Sequence, residues 1–229
     1  HNLIAGSFTA VGRGVNNGTI TKPAPRYTPY HIPHRTEIAG FMTILHGDMR
    51  FYNNIFVQKK IRPALKKRAE GMERNEWTDD NLITGTIPYE GYPSIAEYQE
   101  QFEGYCGMGS APSDRYYNPL PVWAEGNAYF NGAKPMSKEK AFVDEGHEIT
   151  IALEEEVGSF FLKTNLYAFM PEIKNQVVTT DVLGMAFEPE QKFENPDGTP
   201  IVMDTDYFGK AWGTNPGAGP FSDYTSLKL

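Results

Sequence analysis

Asn54-Ile55-Phe56-Val57 sets an asparagine ahead of an unbroken apolar run, and the same device returns at Asn2-Leu3-Ile4 and at Asn127-Ala128-Tyr129-Phe130. The spacings between the three are unequal. A right-handed parallel β-helix tolerates this, because each coil repeats a short strand at the same place while loops of any length leave at its corners. Asparagine has a physical role there: its amide can bond to the equivalent amide one rung away, at a strand spacing of about 4.8 Å. Three unrelated strands, each following an Asn turn residue, is the alternative these residues leave open.

Outward from these strings, Glu37 to Leu45 (EIAGFMTIL) is a nearly continuous apolar run, expected to be a strand buried on both faces or at a coil wall. Lys59 to Arg74 is rich in Lys, Arg, Glu and Ala, and Ser94 with Glu97 forms a capping box ahead of the helical-looking IAEYQEQF. The stretch from about 59 to 118 therefore reads as a partly helical loop region hung on the solenoid, its charges a solvated face. Composition shifts at Gly132 to Glu139. Beyond it, Glu148–Leu153 and Gly158–Leu166 read as a strand pair turned by EEEVGS. Asn195-Pro196-Asp197-Gly198-Thr199-Pro200 and Gly217-Ala218-Gly219-Pro220 are turn signals. The expected architecture is mainly β: last β-helix rungs over 1–135 with the insertion at 59–118, and a C-terminal antiparallel β flank or cap over 136–229.

The chain has 229 residues, 40% of them hydrophobic, and a formal net charge of -8. Its mean hydropathy is -0.48. No apolar run is long enough to cross a bilayer, and the acidic balance disfavours a nucleic-acid backbone. No membrane or nucleic-acid partner is therefore expected. Cys106 is the sole cysteine, which removes internal disulfides, thiolate zinc clusters and CxxC chemistry. The chain opens without Met on the apolar string Asn2-Leu3-Ile4-Ala5, so we expect a fragment of a longer chain, its open coil end covered by an upstream segment or a partner. The compartment stays open, and so does a homo-oligomer.

The densest polar constellation runs from Arg26 to Thr36 and on to His46-Gly47-Asp48, and it holds three of the five histidines. His31, His34, His46 and Asp48 are ordinary metal-ligand types, yet Pro33 breaks the helix that would align His31 with His34, and the spacing is unspecific. Calcium in the acidic Glu188 to Asp197 loop lacks EF-hand spacing. No cofactor is expected. Carbohydrate recognition suits the composition better, with His, Arg and Asp bonding hydroxyls while Tyr27, Tyr30, Trp123 or Trp212 offers a flat ring. The rival is that these side chains satisfy backbone groups in a long loop crossing.

A glycosidase needs two carboxyl groups, about 5 to 5.5 Å apart for retention or about 6.5 to 9.5 Å for inversion. Asp48, Glu37 and Glu125 are the candidates. Aligning Asn54 with Asn127, however, stacks Glu125 on Tyr52 and puts Asp48 opposite Pro121, so no pair emerges. Neither a G-x-S-x-G elbow nor a phosphate-binding glycine loop is present, Gly107-Met108-Gly109-Ser110 lacking the required ending.

Three long strings, Thr28 to Gln58 (TPYHIPHRTEIAGFMTILHGDMRFYNNIFVQ), Leu120 to Lys134 (LPVWAEGNAYFNGAK) and Leu183 to Ile201 (LGMAFEPEQKFENPDGTPI), resemble the C-terminal portion of glycoside hydrolase family 120. The resemblance implies a right-handed parallel β-helix and a retaining β-xylosidase that releases xylose from the non-reducing end of xylo-oligosaccharides. It implies an Asp nucleophile and a Glu acid/base on rungs upstream of residue 1, so neither is assigned here. From residue chemistry and sequence proximity, His31, His34, Arg35, His46 and Asp48 are expected to form a wall of the sugar pocket. A non-catalytic polysaccharide-binding β-helix module is the alternative, and a purely structural cap a third reading.

Overall fold

A computed structural model describes residues 1–6, 27–70, 82–104, 119–144 and 146–222. Arg26, Cys106 and Gly107 to Ser110 lie outside the described residues. The strands in chain order are β1 (Leu3–Gly6), β2 (Tyr27–His31), β3 (Ile38–Thr43), β4 (Met49–Tyr52), β5 (Ile55–Gln58), β6 (Val122–Glu125), β7 (Ala128–Phe130) and β8 (Val143–Asp144). They continue as β9 (Ile151–Glu156), β10 (Ser159–Thr164), β11 (Val178–Thr179) and β12 (Val202–Met203). The helices are α1 (Pro63–Glu70), α2 (Ile95–Glu100) and α3 (Thr180–Leu183).

The three Asn-led strings stack in parallel. Leu3 pairs with Ile55, Ile55 with Ala128 and Ala128 with Val143, giving a sheet in the order β1-β5-β7-β8. The asparagines form the expected column. Asn2 Nδ2 donates to Asn54 Oδ1 and Asn54 Nδ2 to Asn127 Oδ1, both at 2.9 Å, and each acceptor also takes the backbone N–H of the asparagine before it. Ile55, Phe56 and Val57 are unbroken apolar because β5 is covered on both faces. Phe56 packs with Phe51, Tyr89, Tyr92 and Tyr129 on one side, while Ile55 and Val57 pack with Phe130, Ile149 and Leu166 on the other.

A second parallel sheet pairs β4 with β6, Met49 against Val122 through Tyr52 against Glu125. It joins the first at two stacked corners. Asn53 turns β4 into β5 at φ +56°, and Gly126 turns β6 into β7 at φ +72°. A Cβ on Gly126 would lie 2.5 Å from Asn53 Oδ1, so the lower corner needs glycine while the upper uses asparagine's tolerance of the left-handed region.

Three expectations change against the structure. EIAGFMTIL is not a doubly buried strand: β3 pairs antiparallel with β2 in a two-stranded ribbon, leaving Ile38 55% and Phe41 68% exposed. Its partner comes from the polar constellation, for which no strand was expected, and the Tyr30 ring lies so close over Gly40 that a Cβ there would meet its hydroxyl at 2.6 Å. The insertion is partly helical, with the Ser94–Glu97 capping box formed, yet it is more than a solvated appendage. Leu82, Thr84, Thr86, Tyr89 and Tyr92 are buried, and the two tyrosines seal the Phe51–Phe56–Tyr129 cluster. The parallel stack also runs on past residue 135 into β8.

The antiparallel part follows. β9 and β10 form a hairpin in which the turn narrows to Val157-Gly158, both at positive φ, while Glu154 to Glu156 belong to the strand. β11 pairs antiparallel with β12, and Asn195 to Pro200 closes as a tight turn through Asn195 N–H to Thr199 O. Among the described residues no helix is long and apolar enough to cross a membrane.

Candidate functional site

The β2–β3 hairpin carries His31, His34 and Arg35 at its exposed tip. His34 sits at φ +59°, which turns its ring toward the C-terminal flank, where Nε2 meets Glu194 Oε2 at 2.8 Å. His31 uses Nδ1 on Thr36 O, and its own carbonyl accepts from Gln191 Nε2 at 2.6 Å. Arg35 pairs with Glu37, and that guanidinium holds the Glu37 carboxyl below its usual range.

His46 and Asp48 stand at the entry to β4. Gly47 between them has φ +127°, and a Cβ there would strike Leu120 O at 2.3 Å, so only glycine lets this crossing approach the β6 entry. Asp48 N–H donates to Pro121 O, as the Asn54–Asn127 alignment requires. His46 is half-buried, its Nδ1 2.6 Å from Tyr92 Oη, and burial lowers its pKa. Asp48 accepts from Arg50 at Oδ1 (2.7 Å) and from the Phe187 backbone N–H at Oδ2 (2.8 Å).

Arg50 is the hub. Its guanidinium is sandwiched between the rings of Trp123 and Phe193, 4.3 and 4.5 Å from their centroids, and it donates to Leu183 O and Met185 O, both at 2.6 Å. Planar, always charged and forked, arginine serves this geometry where lysine could not. Through it, the segment from Leu183 to Glu194 lies along the molecule and joins both halves of the constellation. Phe187 meets Asp48 and packs edge-on to Tyr98 at 4.9 Å, Gln191 meets His31, and Glu194 meets His34. Burial and the neighbouring Asp48 charge raise the pKa of Glu188.

The five expected residues thus form two groups, His31–His34–Arg35 and His46–Asp48, bridged by the flank. Sequence reading missed Arg50, Tyr92, Phe187 and Glu188. Arg50 had one visible signal, its place beside Trp123 once Asn54 is aligned with Asn127. The flank contacts had none, because residues more than 130 positions apart meet there. Trp212 stacks on His1 at 5.0 Å rather than joining either group, and Tyr27 is exposed on β2. Glu125 lies beside Tyr52, as the register demanded. Among the described residues no three His, Cys, Asp or Glu side chains gather as a metal site.

What this arrangement offers is a ridge of hydrogen-bonding groups with aromatic edges, the chemistry that neutral polyols engage. The chain is similar to the solved structure of XylC in complex with xylose, with 31% sequence identity and a TM-score of 0.69. The match covers 96% of this chain and 30% of that one, so the chain spans about a third of XylC's length. No family model and no curated protein matches it.

Proposed function

We propose that this chain is the C-terminal part of a glycoside hydrolase, a retaining β-xylosidase releasing xylose from the non-reducing end of xylo-oligosaccharides. The observation that carries the reading is the likeness to XylC, solved with xylose, across nearly the whole chain. On this reading the two parallel sheets are terminal rungs of a right-handed parallel β-helix. The Asn2–Asn54–Asn127 column and the stacked Asn53–Gly126 corners support that. The catalytic Asp and Glu belong to rungs upstream of residue 1, in keeping with a register that stacks Glu125 on tyrosine and Asp48 opposite proline.

His31, His34, Arg35, His46 and Asp48 then build one wall of the sugar pocket. His31 and His46 each commit Nδ1 within the fold and keep Nε2 for a hydroxyl, while Asp48 and His34 hold the flank in place. A second reading, a non-catalytic polysaccharide-binding module, draws on the same register, which stacks neither Glu125 nor Asp48 on a second carboxylate. Turnover of a chromogenic β-xyloside by the chain joined to its upstream sequence separates them. The enzyme reading expects turnover, with KM raised on the order of tenfold by His46→Ala through loss of hydrogen bonding to substrate. The binding module expects xylo-oligosaccharide binding without turnover. A structural cap expects His34→Ala and Asp48→Ala to alter stability and leave both unchanged.

A further inference from the structure

Six of the 21 basic residues fall within Lys59 to Arg68 (KKIRPALKKR), a stretch of ten without an acidic residue, in a chain of net charge -8. The structure shows where part of that charge goes. β5 ends at Gln58, the backbone leaves the stack, and α1 folds back so that Lys59, Lys60, Lys66 and Lys67 line one cavity of about 830 Å³ with Gln58 and Asn131. Its size is within the range of small-ligand pockets, about 300 to 1,000 Å³.

Its polar groups divide sharply. Asn131 spends both ends of its amide on Ile149, Gln58 accepts from Thr84 N–H and donates to Lys59 O, and Lys59 Nζ reaches Ile151 O at 2.7 Å. These groups hold the walls. Among the described residues no carboxylate pairs with Lys60, Lys66 or Lys67. Like charges crowded around a concavity repel each other, and they focus a positive potential that an anion relieves.

We propose that this cavity binds the carboxylate of an acidic sugar, so that the chain takes uronic-acid-substituted xylo-oligosaccharides. This rests on the xyloside reading above. The chain's net charge of -8 opposes a long polyanion such as nucleic acid, while a single carboxylate on a neutral oligosaccharide avoids that repulsion. Lysine ammonium groups are point charges on flexible stems. They suit an anion presented at varying angles by a side branch, where a bidentate arginine site would demand one geometry.

The test is calorimetric titration of the chain joined to its upstream sequence with non-hydrolysable, sulfur-linked glucuronic-acid-substituted xylotriose, plain sulfur-linked xylotriose and inorganic phosphate at low and at physiological salt. The proposal expects the acidic sugar to bind more tightly than plain xylotriose. The preference should weaken at higher salt, where the screening length falls to about 8 Å. Lys60→Gln, Lys66→Gln and Lys67→Gln together should weaken it on the order of tenfold, as three exposed charge contacts would, while Lys174→Gln outside the cavity should not. Equal affinity for the two sugars, or no binding of the acidic one, overturns the proposal and leaves the xyloside reading to its own turnover assay. Phosphate binding that surpasses the acidic sugar overturns it in favour of a phosphate site. Failure of the xyloside reading shows separately, as absent turnover in the longer chain.

Discussion

Asn127 donates from Nδ2 to Glu139 Oε1 across 2.7 Å, so the column of amides that begins at Asn2 ends on a buried carboxylate. Glu139 is 6% exposed, and its other oxygen accepts from Thr86 Oγ1 at 2.6 Å and Tyr129 Oη at 2.5 Å. The carboxylate thus collects donors from the insertion, from β7 and from the column. It ties the rung edges to the residues that seal them.

Asn127→Ala should therefore be costly, because Asn54 would lose the acceptor for both its backbone and side-chain N–H groups while buried. A loss of about 2 to 3 kcal/mol in urea unfolding is expected. Asn2→Ala, at the exposed end of the column, should cost less than about 1 kcal/mol. Equal losses at the two ends would mean that the column contributes little.

Glu139 also sets a pH dependence. Burial raises its pKa against the opposing hydrogen bonds of Thr86, Tyr129 and Asn127. A carboxyl whose folded pKa is raised contributes stability fully present below its unfolded value, about 4.3, and lost as pH rises through the folded value. Glu139→Gln cannot titrate. The stability of this variant relative to wild type should therefore increase as pH climbs from about 4 toward neutrality, measured by urea unfolding at each pH. A difference that stays flat with pH would contradict the assignment.

Arg50→Lys keeps the charge and loses the fork. Hydrogen exchange at Met185 and Phe187 should speed up, since the variant cannot hold Leu183 O, Met185 O and Asp48 together between two rings. Arg50→Ala leaves Asp48 unpaired at a largely buried site, its side chain 19% exposed, for a loss of about 3 kcal/mol or more. Unchanged exchange in the Lys variant would show that the flank docks without the guanidinium fork, on its other contacts to Asp48, His31 and His34.

Gly47→Ala tests the crossing between the two parallel strands. The new Cβ would meet backbone at 2.3 Å at a φ of +127°, so a loss of about 3 kcal/mol or more in thermal or urea unfolding is expected. Gly132→Ala, at a positive φ with nothing within 4 Å, carries only the conformational part and should cost about 1 kcal/mol.

The stacked strands were legible because their signal is local and repeated. An Asn before an apolar run states both the ladder and the register, and that register correctly set Glu125 on Tyr52 and Asp48 opposite Pro121. The Ser94–Glu97 cap was legible for the same reason, lying within a single turn. EIAGFMTIL misled because hydrophobicity alone does not reveal which partner a strand takes. Tyr27–His31 supplied one on the surface, and the run stayed half in water.

The constellation was legible as a list of residue types and not as a shape. His46 and Asp48 meet Tyr92 and Phe187, and His34 meets Glu194, across separations that no periodicity encodes. Arg50 reads in sequence as one more charge in a strand. Its importance appears only when Trp123 and Phe193 close over it.

The measurement that bears most directly on the account is hydrolysis of a chromogenic β-xyloside by the 229 residues alone and by the same chain joined to its upstream sequence. We predict turnover only in the longer chain, which would place the catalytic carboxylates upstream and make this chain the wall and cap of the pocket. Turnover by the 229 residues alone would contradict that placement and direct attention to Asp48, Glu37 and Glu125, and absence of turnover in both would contradict the β-xylosidase reading itself.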